Sequence, residues 1–361
     1  MASPRLEINL EKIAHNAQVL SALYGSKKIS ICAVTKVVCA DLMIAQTLVS
    51  AGISMLADSK VANLKKMREG GIVATFLLIG TPLFSQAAEI VKWADISHNS
   101  EFEVIEELAR QARSIGISHQ IILMVEMGDL REGILPESLN EVVSAVLQLE
   151  GIELIGIGTN LACFGGIQPS QTKMDALSSM AEDIEQKFHL PLHYISGGNS
   201  ANYTWFRSTH DPGRINHLRI GESIFLGVET LKRAPIPHLF TDAFELVAEV
   251  TELKSKPSAP YGEKGQNAFG QKLHFEDKGD MPRTILGIGQ QDVNVSGLHP
   301  NIDITILGAG SDHIIIDPKK NNLRLGDEVA FSLNYAALLS VMTSPYVEKT
   351  TAPAYEPAGI S

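Results

Sequence analysis

The sequence predicts a (β/α)8 TIM barrel followed by a C-terminal all-β domain, on three observations. Eight short apolar runs alternate with helix-length segments over the first two thirds of the chain. Eight such units in roughly 230 residues match the barrel, which typically takes about 250. The alternation stops near Leu231, after which strand-like runs are separated by turn residues. No dinucleotide-binding glycine fingerprint follows the first strand, which disfavours an open doubly wound sheet. The domains are therefore expected at residues 1–230 and 231–361.

Residues 10–24 carry apolar side chains at helical spacing and read as an opening helix. Residues 29–36 are β-branched and mostly apolar, as a parallel strand covered on both faces requires. A helix-like segment follows at 41–51. Further strands are expected at 53–57, 74–79, 95–98, 119–126, 152–159, 192–196 and 216–220. Helices fall between them at 59–69, 100–115, 137–149 and 170–188, and Ser59, Ser100 and Ser170 are placed to cap three of them. Beyond Pro235 and Pro237, alternating runs at 244–253, 284–288, 302–307, 313–317 and 328–333 read as strands. The fragments Gly156-Ile157-Gly158, Gly287-Ile288-Gly289 and Gly308-Ala309-Gly310 lack nucleotide-binding context and read as turns or close-packed strand ends.

Hydrophobic residues make up 45% and charged residues 20%, which places the chain among globular rather than disordered proteins. A formal net charge of −11 argues against a nucleic-acid binder, which would show a basic stripe. Cys32, Cys39 and Cys163 have no metal-like spacing and are expected to be reduced thiols. His189 and His193 stand four apart, but Pro191 breaks the helix that would align them, so no metal site is expected. The N-terminus carries neither a signal core nor a basic presequence, and no apolar run is long enough to span a bilayer. A cytoplasmic location is the expectation.

In such a barrel, catalytic side chains gather at the C-terminal ends of the strands. That position yields Lys36, His98, Glu126 with Arg131, Asn160, the turn Ser196-Gly197-Gly198-Asn199-Ser200, and Arg219. An ammonium buried at a strand end costs several kcal/mol unless it is paired, neutralised or used covalently. A lysine that loses its proton there attacks carbonyls and forms Schiff bases; one that snorkels to solvent is the competing reading. Ser200 is read as opening a helix whose N–H groups favour an anion, with glycines that allow close approach. Arg219-Ile220-Gly221-Glu222-Ser223 forms a second loop, and barrel phosphate sites commonly use the loops after strands seven and eight. A Schiff-base lysine opposite a phosphate cradle points to pyridoxal phosphate; two ordinary tight turns are the alternative.

Five segments carry a resemblance. They are Ala33-Val34-Thr35-Lys36, the run from Gly158 to Gly166, Ser196 to Ala201, Leu218 to Glu222, and Met342 to Tyr346. With them the chain resembles the alanine-racemase-like, fold-type III pyridoxal-phosphate enzymes, and its local motifs look most like the ornithine racemase branch. The resemblance implies that Lys36 is the Schiff-base lysine and that Asn199 and Ser200 bind the phosphate, with backbone N–H groups from Gly221 and Glu222. It implies that Arg219 faces the pyridine nitrogen and that Tyr261 is the second base, reaching into a partner subunit's barrel. It further implies Asp312 as an acidic residue near the substrate and a C-terminal phosphate tyrosine, for which Tyr346 is taken over Tyr335 and Thr343. Alanine racemases put a histidine where this chain has Asn160 against the cofactor, and a phosphate-binding tyrosine where it has Ala40. These departures point away from alanine as substrate.

The expected activity is thus interconversion of L- and D-ornithine, or another basic amino acid, by a homodimer with shared active sites. Arg131 is a candidate bidentate anchor for the substrate carboxylate, or simply a loop arginine. A distal ammonium needs a carboxylate, for which Asp312 leads, with Glu222 and Asp292 behind it. A broad-specificity or alanine racemase, a decarboxylase of the same fold type and a sugar-phosphate barrel enzyme are the competing functions.

Overall fold

The computed structural model describes residues 3–351 apart from 268, 271 and 273. The chain divides into two compact units, one formed by Glu11–Thr241 and the other by the segment up to Leu10 together with the chain from Asp242 onward. In chain order the first part runs β1 (Arg5–Ile8), α1 (Leu10–Gly25), β2 (Ser30–Val34), α2 (Leu42–Ser50), β3 (Met55–Asp58), α3 (Val61–Glu69), β4 (Thr75–Leu78) and α4 (Ala87–Trp93). It continues with β5 (Ile96–Asn99), α5 (Phe102–Ser114), β6 (His119–Met124), α6 (Leu139–Val146), β7 (Ile152–Gly158), α7 (Gln171–Phe188), β8 (Tyr194–Asn199), α8 (Asn202–Ser208), β9 (His217–Ile220) and α9 (Glu222–Leu226).

Strands β2 to β9 close into a parallel barrel, and β9 returns to pair with β2 in the register Cys32↔Arg219. Each of the eight expected strands is present, with ends shifted by a few residues. Side chains at alternate positions fill the interior: Cys32, Met55, Ala57, Leu77, Ile96, Ile122, Met124 and Ile155 pack as one cluster. Gly156 is required there, because a Cβ at that position would lie 2.2 Å from the Tyr194 carbonyl oxygen. Of the expected caps, Ser170 accepts from Lys173 N and begins α7. Helices α3 and α5 instead start two residues after Ser59 and Ser100, with Lys60 and Glu101 as their N-cap residues. Among the described residues, no helix is long and apolar enough to cross a membrane.

The second unit comprises β1, β10 (Phe244–Pro257), β11 (Asp280–Leu286), β12 (Leu298–Pro300), β13 (Thr305–Ala309), β14 (Ile314–Asp317), β15 (Glu328–Leu333), α10 (Tyr335–Thr343) and β16 (Glu348–Thr351). Its sheet runs β12-β15-β10-β11-β14-β13, and β1 joins it by pairing antiparallel with β10 and parallel with β16. The expected boundary at 230 assigned the first ten residues to the barrel, whereas β1 completes this sheet. Arg5, buried on β1, grips Glu328 on β15 through both guanidinium nitrogens, one bond measuring 2.9 Å. The β domain also carries one helix, α10, where only strands were expected. Asn334 caps it by accepting from Ala337 N at 3.0 Å.

Candidate active site

Lys36 stands just beyond β2. The strand ends at Val34, because Thr35 turns to φ −84°, ψ 0° and a single 3-10 turn, Lys36–Val38, begins. Val38 N and Ala40 N both donate to the Thr35 carbonyl, at 3.1 and 3.3 Å. Cys39 and Ala40 follow in the left-handed region, with φ of 49° and 47°. Val37, Val38 and Ala40 are buried and Lys36 is half-buried, so the lysine sits in a turn locked by its neighbours rather than at a strand end.

The strongest polar cluster surrounds Arg219, near the end of β9. Its guanidinium is buried and donates to Ser196 Oγ at 2.6 Å, to the Thr159 carbonyl at 2.7 Å and to Asn160 Oδ1 at 3.3 Å. Burial lowers its pKa to about 10, which still leaves it protonated at neutral pH. Ser196 Oγ also meets His217 Nδ1 at 2.9 Å. The serine oxygen thus accepts from Arg219 and is tied to the imidazole, whose Nε2 has no partner among the described residues. Burial, then the nearby Arg219 charge, takes His217 down to about 3, so the ring is neutral. His98 is neutral for the same reasons, led by burial. Burial raises the Cys32 thiol, whose residue pairs with Arg219 across the two strands, to about 12.

Asn199 links this cluster to the next loop. Its amide donates to Asn160 Oδ1 at 3.1 Å and to the Leu161 carbonyl at 2.8 Å, and its Oδ1 accepts from Ala201 N. Gly198 before it is at φ +143°, and a Cβ there would lie 2.1 Å from Asn202 Oδ1. Ser200 does not open a helix as expected: α8 begins at Asn202, and Ser200 Oγ instead accepts from Ser223 N at 3.3 Å. That bond joins the loops after β8 and β9. Gly221 precedes α9 and would place a Cβ 3.1 Å from the Val34 Cβ, so the loop after β9 abuts the end of β2. The loops lie beside Lys36 around the closed sheet, not opposite it, because β9 is the direct neighbour of β2. The Glu222 carboxylate pairs with Arg233, leaving the first backbone N–H groups of α9 as its contribution to the loop.

The loops after β6 and β7 are tied together by a residue the sequence reading passed over. Asp129 is buried, and its carboxylate accepts from Cys163 N at 3.2 Å, Phe164 N at 2.8 Å and Ile167 N at 3.3 Å. Burial pushes this carboxyl up, but the three N–H groups outweigh it and hold it below the ordinary carboxylate value. Glu126 plays a similar part, accepting from Gly128 N, from Leu130 N at 3.1 Å and from Arg131 N at 3.3 Å. Arg131 pairs through two nitrogens with the adjacent Glu132 and touches Cys163 Sγ. Its fork is therefore already occupied by a carboxylate.

Three expected site residues lie in the β domain. Tyr261 is 88% exposed after β10, and Asp312 is exposed in the turn between β13 and β14. Tyr346, 67% exposed, precedes β16; its N–H donates to Ser344 Oγ at 3.1 Å, while that hydroxyl donates to Asp292 Oδ1 at 2.6 Å. Asp292 is thus a structural anchor for the Pro345-Tyr346 turn. The Thr343 hydroxyl donates back into α10, at 2.8 Å to the Ser340 carbonyl.

Residues 8–228 match the family model for the alanine racemase N-terminal domain. Ornithine racemase of Acetoanaerobium sticklandii is 39% identical over 350 residues, covering 96% of this chain and 99% of that protein. Lysine racemase of Thermotoga maritima is 37% identical over 360 residues, covering 99% and 100%. Among solved structures, alanine racemase from Corynebacterium glutamicum superposes with a TM-score of 0.74 at 16% identity, covering 98% of this chain and 100% of that one. D-threonine aldolase from Filomicrobium marinum superposes with a TM-score of 0.71 at 14% identity, covering 94% and 88%. At those identities the structures speak for the fold, a TIM barrel with a C-terminal β domain.

The depressed pKa of Asp129 gives its contribution a sign. A carboxyl lowered in the folded state stabilises fully above its unfolded value, about 3.9, and loses that contribution as pH falls through the folded value. Asp129→Asn should therefore lower the urea midpoint at neutral pH, with the gap to wild type closing below about pH 4. A gap that persists undiminished into acid would contradict this.

Proposed function

We infer what this site does from the premise that the chain belongs to the alanine racemase N-terminal domain family. It is a pyridoxal-phosphate-dependent amino-acid racemase. We propose that it interconverts L- and D-ornithine and accepts other basic amino acids, on the strength of its likeness to an ornithine and a lysine racemase along almost its whole length. The observation that carries the site assignment is the contiguity of three strand ends. Lys36 after β2, the Gly221–Ser223 loop after β9 and the Asn199–Ser200 turn after β8 follow one another around the closed barrel.

The residues present fit the cofactor. Asn160 Nδ2 and His98 Nε2 are buried polar atoms without a hydrogen-bond partner among the described residues. Arg219 supplies a protonated guanidinium nearby, and the joined loops supply hydroxyls and N–H groups suited to a phosphate. In this reading Lys36 would hold the cofactor covalently, and Asn199, Ser200, Gly221 and Glu222 would cradle its phosphate, with Tyr346 proposed as a further phosphate residue. Asn160 and Arg219 would hold its ring. When bound, pyridoxal phosphate supplies the electron sink that makes the substrate α-proton removable.

The chain's own residues then move the proton. Lys36, as a neutral amine, would take or return it on one face of Cα. Tyr261 of the partner subunit serves the other face, which makes the active unit a homodimer with shared sites. The high exposure of Tyr261 supports a role outside its own domain's core. Arg219 does not give up its proton, so it favours reprotonation at Cα over side reactions. Arg131 anchors the substrate carboxylate by exchanging Glu132 for it. Of the acidic candidates for the distal ammonium, Glu222 is paired with Arg233 and Asp292 is buried against Ser344, whereas Asp312 is exposed and accepts from its neighbour Ser311, so Asp312 is the candidate we carry. We place the enzyme in the cytoplasm, consistent with its free cysteines.

Lys36→Ala should abolish racemisation, and borohydride reduction of the wild-type protein should fix the pyridoxyl group on Lys36 by mass spectrometry. Mixing Lys36→Ala and Tyr261→Phe chains should restore partial activity through hybrid dimers. A label on another residue, or no recovery despite confirmed subunit exchange, would refute the lysine and the shared site respectively.

The substrate assignment predicts kcat/KM in the order ornithine, lysine, alanine, because alanine leaves the recognition carboxylate unpaired. A value for alanine equal to that for ornithine would overturn the specificity and leave the racemase intact.

A further inference from the structure

The end of β2 is fastened to the end of β3 by two fully buried side chains that no step above uses. Thr35 and Asp58 each have 0% exposure. Thr35 Oγ1 lies 2.8 Å from Asp58 Oδ2 and 3.2 Å from the Ala57 carbonyl oxygen. Asp58 Oδ1 accepts from Lys60 N and from Asn63 Nδ2, both at 3.0 Å. Among the described residues no cation pairs with this carboxyl; the groups that face it are the Thr35 hydroxyl, the Asn63 amide and backbone N–H groups at the start of α3.

We propose that Thr35 and Asp58 form a positioning pair beneath Lys36, in which Asp58 is held as the neutral acid and donates from Oδ2 to Thr35 Oγ1. The hydroxyl has one hydrogen and two oxygen neighbours. If it donates to the Ala57 carbonyl, the short contact to Asp58 requires the hydrogen to come from the carboxyl. Complete burial without a cation favours the same protonation state and works against the N–H groups that donate to Oδ1. Burial is also the largest influence on this carboxyl and pushes its pKa up.

The arrangement suits the residue that follows Thr35. Lys36 must be held in place, yet a carboxylate beneath it would favour its ammonium form and oppose its use as a nucleophile or base. A neutral acid secures the turn without that charge. The Thr35 carbonyl, which accepts from Val38 N and Ala40 N, carries the constraint into the turn that contains Lys36. The functional half of the inference rests on Lys36 being the proton-transfer lysine; the protonation half does not.

Infrared difference spectra of wild type against Asp58→Asn, recorded without cofactor, test the protonation state. A protonated-carboxyl C=O band, present only in wild type and constant through neutral pH, is expected; carboxylate bands in its place would overturn the proposal. Carbon-13 NMR of wild type labelled in aspartate reads the same state without any variant. For positioning, Thr35→Val should lower kcat about 100-fold with little change in KM, as displacement of a reacting group does. Thr35→Ser, which keeps the hydroxyl, should restore most of it. Equal losses in the two variants, or a change confined to KM, would refute the positioning role. Failure of the lysine assignment is separately visible, because borohydride would then label another residue while the infrared result stands.

Discussion

A buried guanidinium organises this site. Arg219 is sealed at the barrel mouth, and among the described residues no carboxylate pairs with it. A charge in that position is tolerable only if dipoles are aimed at it from several sides. Ser196 from β8, the Thr159 carbonyl after β7 and Asn160 supply them, and each is thereby fixed in orientation. The Ser196 hydroxyl, which accepts from Arg219, also meets His217 Nδ1 at 2.9 Å, so the histidine is tied into the same cluster. Asn160 in turn holds Asn199, and Asn199 holds the turn that presents Ser200. One charge without a carboxylate partner is thus linked through Asn160 and Asn199 to the loop that carries Ser200.

The groups that surround Arg219 are neutral. His98, His217 and Cys32 are all uncharged near neutral pH, each chiefly through burial. If Asp58 is neutral as well, Arg219 is the one charged group among these five buried side chains. Such a setting lets a single cation and a bound anion dominate the field that a reacting group experiences.

Much of this was legible in the sequence, for definite reasons. The eight barrel strands are apolar on both faces, so their β-branched runs stand out against amphipathic helices. Lys36, Asn160, Asn199 and Arg219 were visible as polar residues at the ends of such runs. What escaped notice depends on three-dimensional pairing. β1 is four residues long and gains its place only by hydrogen bonding to β10 and β16. The helix α10, Tyr-Ala-Ala-Leu-Leu-Ser-Val-Met-Thr, is apolar nearly all round and shows no helical stripe. Asp129 looks like an ordinary loop acid, and its three backbone partners lie more than thirty residues away. Asp58 gave the fairest warning: an acid in the middle of Met-Leu-Ala-Asp-Ser must find a partner or lose its charge.

The central claim is that a lysine on one face and a tyrosine on the other exchange the α-proton of a basic amino acid. Incubation of L-ornithine in heavy water, with chiral separation and mass analysis of both enantiomers at early times, tests it most directly. Two bases on opposite faces predict that newly formed D-ornithine carries deuterium at Cα while unreacted L-ornithine keeps its hydrogen. Absence of the D enantiomer, or D-ornithine that retains the original hydrogen, would contradict the account.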